Sequence, residues 1–242
     1  MNISIIVPAY NEERMLAASL ASIRDAARAF TDAGLTTELI VCDNNSTDAT
    51  AAIAAAAGAR VVFEPVNQIS RARNTGAAHA TGEWLLFVDA DSHPSYDLCA
   101  DVARAIGRGR CVAGGATIAV APGEALAVRL VVWSWNAVSR ITRWCAGAFL
   151  FCEAAAFHAV GGFSERLFIS EDVELMARLK RHARVTHRTV TILHRHPVHT
   201  SARKAHLYTP REFVAMYWRL ALSGGRAMRD PRRLPIWYDG RR

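Results

Sequence analysis

Short apolar runs alternate with longer amphipathic stretches through the first hundred residues. Ile3 to Val7 is short, continuous and β-branched, the pattern of a strand buried on both faces. Pro8 stops it, and an amphipathic helix is predicted from Asn11-Glu12-Glu13 to about Phe30. Thr37 to Cys42 predicts a second strand, followed by a turn at Asp43-Asn44-Asn45-Ser46. Ser46 is the expected N-cap of an Ala-rich helix over Thr47 to Ala57, ended by Gly58. Arg60 to Phe63 predicts a third strand, Ser70 to Ala80 a helix, and Trp84 to Val88 a fourth strand ending at Asp89-Ala90-Asp91. This alternation predicts an α/β fold with a mostly parallel sheet flanked by helices.

The pattern changes near residue 110. Cys111 to Val120 reads as a strand, Glu124 to Arg140 as a helix, and Arg143 to Cys152 as extended chain. Glu171 to Arg181 and Pro210 to Leu222 read as helices, with Arg184 to Leu193 extended between them. With no internal repeat and no linker, a single domain over 1–242 is expected. It divides into a nucleotide-binding half (1–110), an acceptor half (111–200) and a C-terminal extension (201–242).

In open parallel sheets, ligands bind beyond the carboxyl ends of the strands. Here those ends carry Pro8-Ala9-Tyr10, Asp43-Asn44-Asn45 and Asp89-Ala90-Asp91. One such polar end is an ordinary solvated loop; three together indicate a site. Asp89 and Asp91 can both face a cation, and hard oxygen ligands suit Mg²⁺ or Mn²⁺ bridging phosphates. Asp is equally at home in a strand-terminating turn. Asp43 suits either a ribose or base contact or an Asx turn. Arg71 and Arg73 cannot share a helix face, so at most one enters the site, where a guanidinium would meet phosphates. Glu171-Asp172 fits a first-turn complement to the helix dipole or a general base, and the local sequence does not choose. His194, His196 and His199 cluster in sequence, and His93 lies close after Asp91.

Composition narrows the classes. Of 242 residues, 51% are hydrophobic and 21% charged, which excludes a disordered or fibrous chain. No apolar run approaches the ~20 residues needed to span a bilayer, and the N-terminus has no basic leader pattern. Five cysteines without Cys-x-x-Cys spacing suggest reduced, buried thiols and a cytoplasmic protein. The net charge of +7 is uneven: from Arg195 onward there are 11 basic and 3 acidic residues, leaving 18 and 19 before it. That segment also carries Tyr208, Phe213, Tyr217, Trp218, Trp237 and Tyr238. Basic plus aromatic residues suit an anionic membrane surface, whereas no nucleic-acid motif accompanies them.

Five motifs in order resemble the family 2 glycosyltransferases of GT-A fold: Ser4 to Glu13, Val41 to Asp48, Ala72 to Gly76, Leu86 to Asp91, and Gly161-Gly162-Phe163 with Glu171-Asp172. The resemblance covers roughly three quarters of the chain. It implies an inverting transfer of sugar from a UDP- or GDP-sugar to an acceptor alcohol, lipid-linked acceptors included; the chain's departures from the processive members make a non-processive, single addition the expectation. It implies that Pro8, Ala9, Tyr10, Glu12 and Asp43 line the nucleotide pocket and that Arg73 lies near the donor. Asp89 would contact the donor's ribose or sugar. Asp89 and Asp91 would serve a divalent metal, Mn²⁺ or Mg²⁺, and Asp172 would be the catalytic base. A third metal ligand stays open among His93, His194 and His196. Many members carry an acid where Asn44 stands, and the Gln-x-x-Arg-Trp segment and membrane helices of processive synthases are absent. A cytoplasmic protein, peripheral at the inner membrane face, is expected. A degenerate, non-catalytic nucleotide-sugar binder is the alternative. A nucleotidyltransferase is a third reading, but it lacks its Gly-rich phosphate loop.

Overall fold

The computed structural model describes residues 1–145, 147–203, 207, 212, 218 and 226–234. Strand β1 (Asn2–Ala9) is flanked on one side by β2 (Thr36–Asp43) and on the other by β4 (Trp84–Val88), both parallel to it. β3 (Arg60–Phe63) lies parallel to β2 at the edge. Helices α1 (Leu16–Asp32), α2 (Thr50–Ala56) and α3 (Ile69–Ala78) make the connections. The second half adds β5 (Ser92–His93), α4 (Tyr96–Gly107), β6 (Cys111–Ala119), α5 (Leu126–Thr142), β7 (Phe149–Glu153), α6 (Ala154–Ala159), α7 (Glu171–Val185) and β8 (Thr189–Thr200). The sheet runs β3-β2-β1-β4-β7-β6-β8-β5. β7 is antiparallel to both β4 and β6, β5 is antiparallel to β8, and β6 and β8 are parallel.

Strand alternation sorts the core into two layers. Ile5, Val7, Leu86 and Val88 face α1 and α4, whose Leu20, Ile23, Phe30, Leu98 and Val102 complete one apolar layer. Ile6, Leu85 and Phe87 face the other way, onto Phe157, Leu175, Met176 and Leu179 of α6 and α7. Both faces of β1 and β4 are therefore dry, which explains their unbroken apolar sequences. All five cysteines are buried and unpaired. Burial pushes the thiols of Cys42 and Cys99 up to about 12 and that of Cys111 to about 11, as for inert core side chains.

Several expected boundaries shift for identifiable reasons. α1 starts at Leu16 because Asn11 adopts a left-handed conformation (φ 51°) and the chain turns there. Ser46 does not cap α2: its hydroxyl accepts from the Asn11 backbone N–H at 3.0 Å, and Asp48 Oδ1 receives the Thr50 N–H at 2.9 Å. The stretch expected to be extended from Arg143 is a strand only from Phe149. Arg143 closes α5 in the left-handed conformation at φ 57°, which breaks the chain direction before β7. Arg184 belongs to α7, which continues to Val185. The helix expected over Pro210 to Leu222 lies mostly outside the described residues.

Candidate active site

The carboxyl ends of β1 and β2 lie side by side, with Ala9 in register with Asp43. Pro8 and Ala9 are buried, Tyr10 is half-buried at the rim, and Asp43 is buried with Oδ1 accepting the Ser46 N–H at 3.1 Å. Asp43 thus braces its own turn, through the third residue on rather than the second of an Asx turn. Asn44 is a clamp. Its amide donates to the carbonyls of Glu64 (3.1 Å) and Val66 (2.6 Å), and its Oδ1 accepts the Gln68 N–H at 2.9 Å. A carboxylate could not make the two donations, which accounts for an amide at this position. Glu12 is buried, and Arg203 forks onto it with Nη1 to Oε2 at 2.9 Å and Nη2 to Oε1 at 2.8 Å. The same Nη2 comes within 3.9 Å of Asp91 Oδ2.

Arg73 is the hinge between the two halves of the site. It is 1% exposed on α3. Its Nη2 donates to Asp89 Oδ1 at 2.8 Å and to the Gly147 carbonyl at 3.3 Å, while Nη1 donates to Glu171 Oε1 at 2.8 Å. Its guanidinium carbon lies 5.2 Å from the Phe163 ring centre. Burial alone would lower its pKa, but the carboxylates of Asp89, Glu171 and Asp172 raise it, so the guanidinium stays charged. Arg71, one face away, points outward to Glu64 (3.2 Å) and Glu165 (2.7 Å).

Two of the sequence motifs support this cation jointly. The Asn74 amide donates to the Phe163 carbonyl and its Oδ1 accepts the Phe163 N–H, both at 2.9 Å, holding the ring over Arg73. Gly162 (φ 66°) has no room for a side chain, since a Cβ would stand 2.8 Å from Asn74 Oδ1. At Gly147 a Cβ would fall 2.3 Å from Arg73 Nη2, so only glycine lets the α5–β7 loop close over the guanidinium.

Asp172 is the second residue of α7, after Glu171, which follows Ser170 at φ 63°. Burial raises its pKa from the carboxylate range to about 7, and the neighbouring charge of Glu171 adds to this. Arg73 and the backbone N–H groups of Val173 (2.7 Å) and Gly147 pull the other way. The two acids therefore divide their roles: Glu171 is buried and tied to Arg73, while Asp172 is half-buried and holds a proton affinity near neutrality, which suits a base.

Asp89 and Asp91 follow β4 and are both partly exposed, at 28% and 22%. The Asp91 carbonyl accepts the Ser201 N–H at 3.2 Å, and β5 pairs His93 with His199. Burial and the charge of His199 lower the pKa of His93. The two other candidate histidines are placed differently. His196 Nδ1 lies 2.9 Å from Asp101 of α4, and His194 is exposed beside Arg140 and Arg143. No group of three His, Cys, Asp or Glu side chains among the described residues converges into a metal-binding set. The donors present fit a Mg²⁺ or Mn²⁺ ion that keeps water and takes further ligands from phosphates. They do not fit a closed zinc site.

With this geometry in place the comparisons are unambiguous about kinship. The chain belongs to glycosyl transferase family 2, whose model matches residues 4–154. An uncharacterized glycosyltransferase of Mycobacterium tuberculosis is 39% identical over 89 residues, 37% of this chain and 36% of that protein. The chain thus spans little more than a third of that curated relative. Among solved structures, S. aureus TarS (1–349) in complex with UDP-GlcNAc superposes with a TM-score of 0.65 at 19% identity, over 99% of this chain and 71% of that one. A mannosyltransferase of Pyrobaculum calidifontis in complex with GDP-Man and Mn²⁺ gives a TM-score of 0.65 at 17% identity, over 98% and 67%. These likenesses establish the GT-A fold.

The sequence reading missed Glu171 as the anchor of Arg73, Asn74 as the clamp on Phe163, Gly147 as the closing contact, and Arg203. Glu171 and Asn74 sit inside recognised motifs, so their neighbours signalled them. Arg203 has no local signal, because its partner Glu12 is 191 positions away.

Proposed function

We propose that this chain transfers one sugar from a nucleotide-diphospho-sugar, with UDP or GDP as the nucleotide, to an acceptor hydroxyl. Asp43 and Glu12, with Pro8, Ala9 and Tyr10, form the nucleoside side of the pocket. Asp89 faces the sugar and diphosphate side, with the buried Arg73 behind it rather than in direct reach of the phosphates. Asp91, with Asp89, would hold a divalent Mn²⁺ or Mg²⁺, which when bound neutralises charge on the diphosphate. Asp172 accepts the proton of the acceptor hydroxyl as its oxygen bonds to the anomeric carbon. The bond from that carbon to the β-phosphate oxygen breaks, and the nucleoside diphosphate leaves. A single displacement of this kind inverts the anomeric centre.

One observation carries the reading. A single buried cation, Arg73, ties the donor-side carboxylate Asp89 to the α7 turn that holds Asp172. Donor and base sites are thereby fixed to each other at the sheet edge where ligands of open α/β folds bind. The whole chain would act as one transferase unit, with the acceptor approaching from the side of residues 111–200. The basic segment from Arg195 onward adds attraction to an anionic membrane, compatible with a lipid-linked acceptor. Among the described residues no helix is long and apolar enough to cross a membrane.

The test is release of nucleoside diphosphate from a panel of UDP- and GDP-sugars with Mn²⁺. Turnover with one donor, abolished by Asp91→Ala, supports the proposal. Binding without turnover favours a non-catalytic sugar-nucleotide module, and release of pyrophosphate favours nucleotidyl transfer.

A further inference from the structure

Helix α5 is mounted firmly on the sheet yet turns an apolar face to solvent. Of its 17 residues only Ser139 is buried. Asn136 brackets Ile118, accepting from its N–H at 3.0 Å and donating to its carbonyl at 2.9 Å. Lys180 donates to the Thr142 carbonyl. On the opposite side Leu126, Leu130, Trp133 and Ile141 recur at helical spacing and form one stripe, with Trp133 70% and Ile141 84% exposed. Val131 and Val138, also exposed, widen it along one border. Arg129 and Arg140 line the other border, and Arg143 follows the last turn. From Ala125 to Cys152 there are three arginines and no carboxylate.

We propose that α5 docks this protein onto an anionic lipid bilayer, lying in the interface with the Leu126–Trp133–Ile141 stripe inserted and the arginines at the headgroups. The charge pattern selects this occupant. An anionic surface complements a face that offers cations and no acids, whereas α5 of a second copy would bring the same arginines and no carboxylate. A pocket of about 400 Å³ beside the helix end, lined by Arg140, Arg143, Thr191 and His194, supplies donors suited to a headgroup phosphate. The helix is too short and too basic to span the bilayer, so it lies on it. Four residues beyond Arg143 the chain reaches Gly147, which touches both Arg73 and Asp172. A docked α5 would thus set the base close to acceptors held at the membrane surface. The docking itself does not depend on the transferase reading.

Co-sedimentation of the full chain with vesicles of equal parts phosphatidylglycerol and phosphatidylcholine tests this without any nucleotide. Wild type should pellet with these vesicles, less so as salt rises, and much less with pure phosphatidylcholine. The double variant Trp133→Ser, Ile141→Ser should lose roughly tenfold or more in vesicle affinity, because two large side chains no longer leave water. Its melting temperature should hold, since both side chains are exposed. Quenching of wild-type tryptophan fluorescence by brominated lipid, lost in Trp133→Phe, reports the same insertion without a destabilising change. Wild type staying in the supernatant, or the double variant pelleting like wild type, overturns the proposal. So does a wild-type dimer in ultracentrifugation that the double variant dissociates, which would assign the face to a second copy.

Discussion

Arg73 and Glu171 meet at 2.8 Å although 98 residues separate them along the chain. The pair is buried, and its cation has a second carboxylate partner in Asp89. A buried charge stripped of its partner is costly, so Arg73→Ala should destabilise the fold by about 3–5 kcal/mol in urea denaturation. It should also weaken donor binding, because Asp89 and the α7 turn lose their common tether. A loss under about 1 kcal/mol would show that the triad is not holding the halves together. Arg73→Lys keeps the charge but not the fork and should not restore wild-type stability.

Asp172 predicts opposite consequences for activity and stability. Its pKa in the folded state lies above that of an unfolded aspartate, so native protein binds the extra proton through the interval between them. The site therefore contributes most to stability below the ordinary aspartate range, and that contribution is lost as pH rises toward about 7. Asp172→Asn should melt higher than wild type at pH 8, with the gap closing as pH falls toward 4. Transfer should fall about 10²-fold or more in the same variant while donor affinity persists. In wild type, the rate should decline as pH drops below neutrality and the base is protonated. A variant with wild-type transfer, or with lower stability at pH 8, would remove Asp172 from this role.

Asn44 tests a departure from the usual acidic position. Asn44→Asp presents a carboxylate to two carbonyls that now receive hydrogen bonds. It should lower stability by about 1–3 kcal/mol, since both carbonyls lose their donor. An Asn44→Asp protein as stable as wild type would mean that the loop tolerates re-pairing and that the amide is incidental.

How far the sequence revealed this molecule depends on range. β4 is found where its apolar run predicts it, Trp84 to Val88, because a strand buried on both faces is written in contiguous residues. β5 was not legible: it is two residues long and exists only because His199 and Thr200 pair with it. The α4 helix, between Asp91 and Arg110, was also passed over, although Ser95 caps it and Leu98, Val102 and Ile106 mark its buried face. At the site, the strand-end acids were visible from local context. Whether Glu171-Asp172 only complements the helix dipole or supplies a base was not legible locally, and the tie of Glu171 to Arg73 comes from another motif. Likewise Arg71 and Arg73 could be separated by helix geometry, but which of the two enters the core depended on Glu64, Glu165 and Phe163.

The Arg203–Glu12 fork makes a coupling prediction. It covers the buried Glu12 carboxylate and sets a cation 3.9 Å from Asp91. In a double-mutant cycle of Arg203→Ala and Glu12→Gln, the effects on stability should be non-additive by about 1–3 kcal/mol. Additive effects would mean that the two side chains are energetically independent despite their contact.

The central claim is that the edge formed by Asp43, Glu12, Asp89 and Asp91 binds an activated sugar with a divalent ion. Calorimetric titration of UDP- and GDP-sugars into the full chain with Mn²⁺ tests it most directly. Saturable binding of one of them, weakened at least about tenfold by Asp91→Ala or by chelation, is the predicted result. Absence of heat with every nucleotide sugar, or affinity indifferent to both Asp91 and the metal, would contradict it.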